Sequence, residues 1–273
     1  MLQKTACIYS GLPLHVITLD ELGVDHTRFI TDIAPTFDQS HGLLVDDVYD
    51  VVRRQKEFLA RHGGSLSAMS PTDRKLFDQI MVARRRAFAV FDVDYQGMNA
   101  WNAVQVFPDA FTQDVTDTRS APRVFATMSA FVTQHPEFQK LLGGVAGRIA
   151  EFEGREVSMR ITVHQVQSMA YRTQPSDNAP EGTHQDGADY IISALIVEER
   201  GIRGAMSKVY WRDPDTKEQT TLLTHDLKVG EAILQADRGT PLWHDVTPMN
   251  LVEGSPYKVG TRSIFGFDIQ LKK

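Results

Sequence analysis

The second half of the chain reads as a series of short β-strands, and this pattern constrains the fold more than any other feature. From about Glu156 onward, β-branched and apolar runs of strand length are separated mostly by Pro, Gly or Asp. The candidate strands cover residues 160–167, 190–197, 206–211, 220–223, 232–235 and 261–270. Six or seven short strands in roughly 115 residues are typical of a double-sheet sandwich or jelly roll.

The first half of the chain has helical periodicity instead. Apolar residues recur at helical spacing, and Gly63, Ser70 and Pro136 stand where helices are expected to end or begin. These patterns predict helices over residues 45–61, after Ser70, over residues 121–130 and from Pro136 onward. Between Phe88 and Phe111 the apolar runs are short and irregularly spaced, and no regular element is predicted there.

Together the two halves predict an α+β fold. Its core is a double-stranded β-helix, or jelly roll, over about residues 146–273, and a mainly helical region over about residues 1–145 packs against it. No Pro/Ser-rich linker separates the two regions, so we expect residues 1–273 to form a single unit.

Charge and cysteine content narrow the range of functions. The formal net charge is −6 and no long basic run is present, which argues against nucleic acid as a partner. Cys7 is the only cysteine, so an intrachain disulfide and a Cys-rich metal site are excluded. No stretch is apolar enough for a signal peptide or a membrane span, so we expect a cytoplasmic protein without a membrane partner. No heptad or apolar stripe decides whether the chain forms a homodimer.

The central motif is His184-Gln185-Asp186. On an extended chain, residues two apart project to the same face, so His184 and Asp186 can bind one ion together. A second histidine would complete two imidazoles and one carboxylate, the facial set of non-haem Fe(II) oxygenases. A bare His-x-Asp is a weak signal, and its plain alternative is a loop histidine followed by a turn aspartate.

Two downstream histidines compete for the third ligand position. His244 follows a Gly-led turn into a strand and precedes Arg262, which begins a β-rich segment. His225 lies just before the Gly230 turn and has no arginine at a comparable distance behind it, so His244 is favoured. An arginine that faces into a sandwich is costly unless it meets an anion, and a guanidinium holds a carboxylate through two hydrogen bonds. The alternative for Arg262 is a surface arginine at a strand start.

These motifs resemble the 2-oxoglutarate/Fe(II)-dependent dioxygenases, specifically the bacterial branch that includes L-isoleucine dioxygenase and related free-amino-acid hydroxylases. The resemblance is carried by residues 163–166 (VHQV), 182–186 (GTHQD) and 244–248 (HDVTP), and by Arg262. It implies that His184, Asp186 and His244 hold the iron and that Arg262 binds the distal carboxylate of 2-oxoglutarate. Many members of the wider superfamily carry Ser or Thr two residues after that arginine, whereas this chain has Ile264, so any such hydroxyl must come from elsewhere.

The resemblance also implies a small substrate, a free L-amino acid hydroxylated with O2 on an aliphatic carbon. No catalytic residue beyond the metal ligands is expected. Two other functions stay open: a cupin-like metal enzyme that does not use 2-oxoglutarate, and a non-catalytic sensor that only binds the metal and cosubstrate. Candidate substrate contacts, each of which has a purely structural alternative, are Gln165, Arg123, Tyr95 and Trp101, with Arg84, Arg85, Arg86 and Phe107 beside them.

Overall fold

The structure is a computed structural model that describes residues 13–38, 44–98, 100–112, 122–179 and 181–272. Its strands are β1 (Leu14–Thr18), β2 (Val45–Asp46), β3 (Arg84–Gly97), β4 (Ala100–Val106), β5 (Ala126–Thr127), β6 (Met159–Tyr171), β7 (Tyr190–Arg200), β8 (Ile202–Gly204), β9 (Ser207–Arg212), β10 (Gln219–His225), β11 (Glu231–Ala236), β12 (Leu242–Val246), β13 (Met249–Leu251) and β14 (Val259–Leu271). Its α-helices are α1 (His26–Ile33), α2 (Val48–Arg61), α3 (Pro71–Asp78), α4 (Ala130–Thr133) and α5 (Pro136–Glu153).

One large, mostly antiparallel sheet dominates the molecule. Its strands run in the order β1-β11-β7-β14-β6-β3-β2, and β4 and β5 also pair with β3. The centre is the β14–β6 pair, whose register runs without interruption from Val259 opposite Tyr171 to Leu271 opposite Met159. A smaller sheet has the order β10-β9-β12, and β13 pairs with β8. A mostly antiparallel β-fold with some helices is consistent with the predicted jelly roll.

Helices cover one face of the large sheet and leave the other face to a cavity. Phe265 on β14 packs against Phe29 of α1 and Phe138 of α5, with ring centroids 6.1 and 5.5 Å away. Because side chains alternate along a strand, the neighbours Ile264 and Gly266 face the opposite side, where both line the cavity. The same alternation on β6 and β3 decides which polar residues reach that cavity.

The predicted strands are confirmed, whereas the prediction of a mainly helical first half is too simple. Helices α2 and α5 occupy the predicted positions, and the Ser70 side chain caps α3 by accepting the N–H of Asp73. The first half also supplies β3 and β4, which form a long hairpin where no regular element was predicted. Strand β3 is buried on both faces over its middle, so its sequence lacks the polar–apolar alternation of a half-exposed strand.

The helix predicted over residues 121–130 is wrong in the part that the structure describes. Residues 122–129 are extended, with a bridge from Phe111 to Arg123 and the short strand β5, and helix α4 begins only at Ala130. Cys7 lies outside the described residues. That the whole chain acts as one unit stays a prediction. None of the helices described is long and apolar enough to cross a membrane.

Candidate metal centre

Two histidines and one aspartate converge where the segment before β7 meets β12. His184 and His244 form a β-bridge in which each backbone N–H donates to the other's carbonyl, at 2.9 and 3.0 Å. The carboxylate oxygens of Asp186 lie 3.5 Å from Nε2 of His184 and 3.4 Å from Nε2 of His244. The three ligand atoms all lie within 4.8 Å of one another, so one metal ion can contact all of them.

A hydrogen bond leaves the metal-facing nitrogen of His184 unprotonated. Its Nδ1 lies 2.7 Å from the carbonyl oxygen of Gly182. A carbonyl oxygen only accepts hydrogen bonds, so Nδ1 carries the proton and Nε2 offers its lone pair to a metal. The backbone of Gly182 has φ of +72°, a conformation that favours glycine at this position of the motif. The side chain of His244 is 6% exposed, and its ring lies 4.4 Å from that of His184.

Asp237 and Gln185 hold the metal-binding segment against the loop between β11 and β12. Oδ2 of Asp237 accepts the backbone N–H groups of Asp186 and Gly187, at 2.9 and 2.7 Å. Gln185 lies between His184 and Asp186 in sequence, and its Nε2, which carries two hydrogens, is within 3.0 Å of the carbonyl oxygens of Asp237, Thr240 and Leu242, in the loop and at the start of β12. These contacts connect His184 and Asp186 to the loop that leads into the strand of His244. The relative positions of all three ligands therefore depend on them.

The electrostatics favour ionisation of Asp186 and oppose ionisation of the neighbouring Asp237. Burial opposes ionisation of Asp186, but the interactions with His184 and His244 outweigh it and hold its pKa well below the ordinary value. Burial, and then the charge of Asp186, raise the pKa of Asp237 to about 7. A divalent metal ion binds the ionised carboxylate, so the lowered pKa of Asp186 favours metal binding.

A cavity of about 700 Å³ adjoins the three ligands and extends along the large sheet. Arg262 on β14 lines it, with a side chain that is 3% exposed. Its Nε donates to Oε1 of Glu199 at 3.0 Å, whereas its buried Nη2 has no hydrogen-bond partner among the described residues. A buried guanidinium with an unused donor is suited to an anionic ligand.

The arginines predicted to contact substrate separate into two groups. Arg84, Arg86 and Arg123 all line the cavity. Arg85 lies between the first two on β3, and its side chain forms an ion pair with Asp46 at 3.1 Å instead. The period of two along a strand explains this division.

The structure does not bring the other predicted substrate residues to the cavity. Gln165 is on the helix-covered face, 1% exposed, and donates to Oγ1 of Thr36 at 3.0 Å. Tyr95 and Trp101 pack together at the end of the β3–β4 hairpin, with ring centroids 5.3 Å apart. Phe107 follows β4 and is 74% exposed. Sequence alone could not show which face of β6 is inward or how far the hairpin extends.

The metal cluster contains His244 and not the rival His225. His225 ends β10, and its Nε2 lies 3.1 Å from Oε2 of Glu231. His164 also lines the cavity, with Nε2 3.2 Å from Oδ2 of Asp268.

Two residues near the candidate metal centre and Arg262, Asp237 and Glu199, were not predicted from the sequence. Asp237 was not predicted, although it directly follows the buried strand β11, and a carboxylate in that position indicates a candidate site residue. Glu199 is recognisable only from its position opposite Arg262 across β7 and β14.

The fold and the cluster of His184, Asp186 and His244 are those expected of a non-haem iron oxygenase of the two-histidine, one-carboxylate type. A family model described as 2OG-Fe dioxygenase matches residues 68–268, and the chain belongs to this family. It is therefore a 2-oxoglutarate-dependent non-haem iron oxygenase that uses Fe(II), 2-oxoglutarate and O2. The cupin-like alternative without 2-oxoglutarate is set aside by the same match.

Solved structures share the fold at low sequence identity. A bsmA homolog from Methylobium petroleophilum PM1 is 16% identical, with a TM-score of 0.60 over 94% of this chain and 88% of the other. IDO from Bacillus thuringiensis is 12% identical, with a TM-score of 0.54 over 95% and 94% of the two chains. No curated protein matches the sequence.

Proposed function

We propose that this oxygenase hydroxylates an aliphatic C–H bond of a free L-amino acid, as the L-isoleucine dioxygenase-like branch does. In this proposal His184, Asp186 and His244 hold Fe(II), and Arg262 binds the distal carboxylate of 2-oxoglutarate. A cytoplasmic location is part of the same proposal. The observation that carries it is the buried Arg262, which lines the same cavity as His184, Asp186 and His244 and whose Nη2 has no hydrogen-bond partner among the described residues.

The side chains of the protein bind and orient the reactants, because the metal and 2-oxoglutarate supply the oxidation chemistry. When bound, the metal and 2-oxoglutarate supply the chemistry, in which one atom of O2 enters the substrate and the other enters succinate as CO2 leaves. The Nε2 atoms of His184 and His244 and the carboxylate of Asp186 leave open positions on the ion for 2-oxoglutarate and O2. Arg262 orients the far end of 2-oxoglutarate through a charge-assisted hydrogen bond.

Ser168 is suited to supply the hydroxyl that Ile264 cannot. It lies directly opposite Arg262 in the β14–β6 register, is 6% exposed and lines the cavity. Its hydroxyl therefore comes from the neighbouring strand, at the level of Arg262, instead of from two residues farther along the same strand. This assignment makes Ser168 a second contact for the distal carboxylate.

Turnover assays test the proposal. Each L-amino acid is incubated with the Fe(II)-loaded protein, 2-oxoglutarate and O2, and the products are examined for succinate and for a mass gain of one oxygen atom. We expect one or a few amino acids to gain oxygen in proportion to succinate. A sensor would bind 2-oxoglutarate without forming succinate. Succinate formation that no amino acid stimulates would refute the substrate class while leaving the oxygenase assignment intact.

A further inference from the structure

A second set of charged residues, which includes Arg86 and Asp47, lines the cavity away from Arg262. Arg86 on β3 lines the cavity, with a side chain that is 14% exposed. Arg262 lies opposite Ser168 on β6, and Arg86 lies opposite Val166 of the same strand, on β6's other side. With strands about 4.8 Å apart and about 3.4 Å per residue, their Cα atoms are about 12 Å apart. The two guanidinium groups can therefore bind two different anions.

Arg86 keeps most of its hydrogen-bonding capacity. The guanidinium carbon lies 4.9 Å from the ring centroid of Phe125, so an aromatic ring supports the group. Its Nε is buried with no hydrogen-bond partner among the described residues. The nearest carboxylate oxygen, Oδ2 of Asp47, is 3.8 Å from Nε, which is beyond hydrogen-bonding distance.

Asp47 also lines the cavity, and one of its two carboxylate oxygens already accepts a hydrogen bond. It is the N-cap of α2, where Oδ1 accepts the N–H of Asp50 at 3.2 Å. The Asp47 side chain is 5% exposed, so the opposite charges of Asp47 and Arg86 lie side by side in a poorly solvated place. Each has unused hydrogen-bonding capacity, and neither satisfies the other.

The surrounding charges favour an added carboxylate near Arg86. Burial, and then the neighbouring charge of Arg84, lower the pKa of Arg86 to about 10, with Arg123 acting in the same direction and Asp47 and Glu181 against it. An anion bound at Arg86 would offset the repulsion between Arg86 and Arg84.

We infer that Arg86 and Asp47 bind the head group of a zwitterionic α-amino acid, with the α-carboxylate on Arg86 and the α-ammonium on Asp47. This inference rests on the proposed function and specifies which end of the substrate is fixed. An α-amino acid carries its two charges on one carbon, so it offers an anion and a cation at a spacing that matches two adjacent opposite charges. The side chain then extends along the cavity that leads to His184, Asp186 and His244.

The test uses two charge-removing variants and two matched controls. Arg86→Gln removes the cation. Asp47→Asn removes the anion but keeps a side chain that caps α2 equally well. The controls are Arg85→Gln and Asp46→Asn, which break the neighbouring ion pair of Arg85 with Asp46 outside the cavity.

Each protein is loaded with Fe(II) and 2-oxoglutarate and assayed with three probes. The probes are the best amino acid from the turnover screen, its α-carboxamide and its N-acetyl derivative. We expect the wild type to prefer the amino acid over both derivatives. Arg86→Gln should raise KM for the amino acid about 30-fold or more and abolish the preference over the carboxamide. Asp47→Asn should raise KM about 10-fold and abolish the preference over the N-acetyl derivative.

In the two controls, basal turnover of 2-oxoglutarate without amino acid and the preferences among the three probes should both stay at the wild-type values. If Arg86→Gln keeps the preference for the carboxylate, or matches Arg85→Gln in every respect, the inference is overturned and the proposed function stands.

Anaerobic calorimetry with the proteinogenic L-amino acids separates the remaining outcomes. Binding that depends on Arg86 without hydroxylation would support the head-group site and refute the proposed reaction. No binding and no hydroxylation of any L-amino acid would overturn both.

Discussion

Replacement of Arg262 by methionine tests the cosubstrate site most directly. The Arg262 side chain is 3% exposed and has one ion-pair partner among the described residues, Glu199, whose side chain is 28% exposed. Removing one member of a buried, hydrogen-bonded charge pair weakens binding by about 2–5 kcal/mol. We therefore expect the Kd for 2-oxoglutarate to rise by about 30-fold to several thousand-fold.

The same variant should also alter stability in a pH-dependent way. Burial raises the pKa of Glu199, and Arg262 acts in the opposite direction. Without Arg262 the pKa of Glu199 rises further, so the ionised carboxylate destabilises the folded state. Stability is then highest below the ordinary pKa of a glutamate and falls as the pH rises toward the raised value. We expect a cost of about 1–3 kcal/mol at neutral pH, because Glu199 is only partly buried.

Two further variants separate binding from stability. Adding Glu199→Gln to Arg262→Met should remove the pH-dependent loss and restore much of the thermal stability, but not the affinity for 2-oxoglutarate. The control Arg200→Gln breaks the more exposed pair of Arg200 with Glu198 and should leave both properties unchanged.

Anaerobic calorimetry measures the Kd, and thermal unfolding between pH 5 and 8 measures the stability. An Arg262→Met protein that binds 2-oxoglutarate as tightly as the wild type would refute the assigned role of Arg262.

Three other predictions concern the metal centre and the packing. His244→Ala should abolish Fe(II)-dependent succinate formation, whereas His225→Ala should retain it; equal losses would contradict the choice of third ligand. Asp237→Ala should weaken metal binding about 10- to 100-fold in a Co(II) titration, because the N–H groups before β7 lose their acceptor. Gly144→Ala should lower the free energy of unfolding by about 1–3 kcal/mol, measured by thermal unfolding, because a Cβ there would lie 2.1 Å from the Leu22 carbonyl oxygen. Gly143→Ala is the control, because a Cβ there meets nothing within 4 Å, and it should stabilise α5 by about 0.5–1 kcal/mol.

Local periodicity made the strands of the second half and the His184–Asp186 pair predictable. Both depend on the alternation of side chains along an extended chain, which neighbouring residues alone determine. The long β3–β4 hairpin was missed for a related reason. The central residues of β3 are buried on both faces, so the pattern of this strand has no period that distinguishes it from irregular chain. In β4 exposure does alternate, but the apolar Val104 lies on the exposed side and hides the alternation.

What the sequence determined by itself was the chemistry: two imidazoles, a carboxylate and an arginine, in an order that indicates an iron oxygenase. Only the tertiary structure decided which side chains share the cavity. Strand register placed Ser168 opposite Arg262 and put Arg86 on the same side of the sheet, while it directed Gln165 toward the helices. Register depends on pairing between strands far apart in sequence, and a shift of one residue would exchange the two faces. The spacing of His184 and Asp186 is thus a local property of this chain, whereas the choice of His244 over His225 and the lining of the cavity depend on pairing between distant strands.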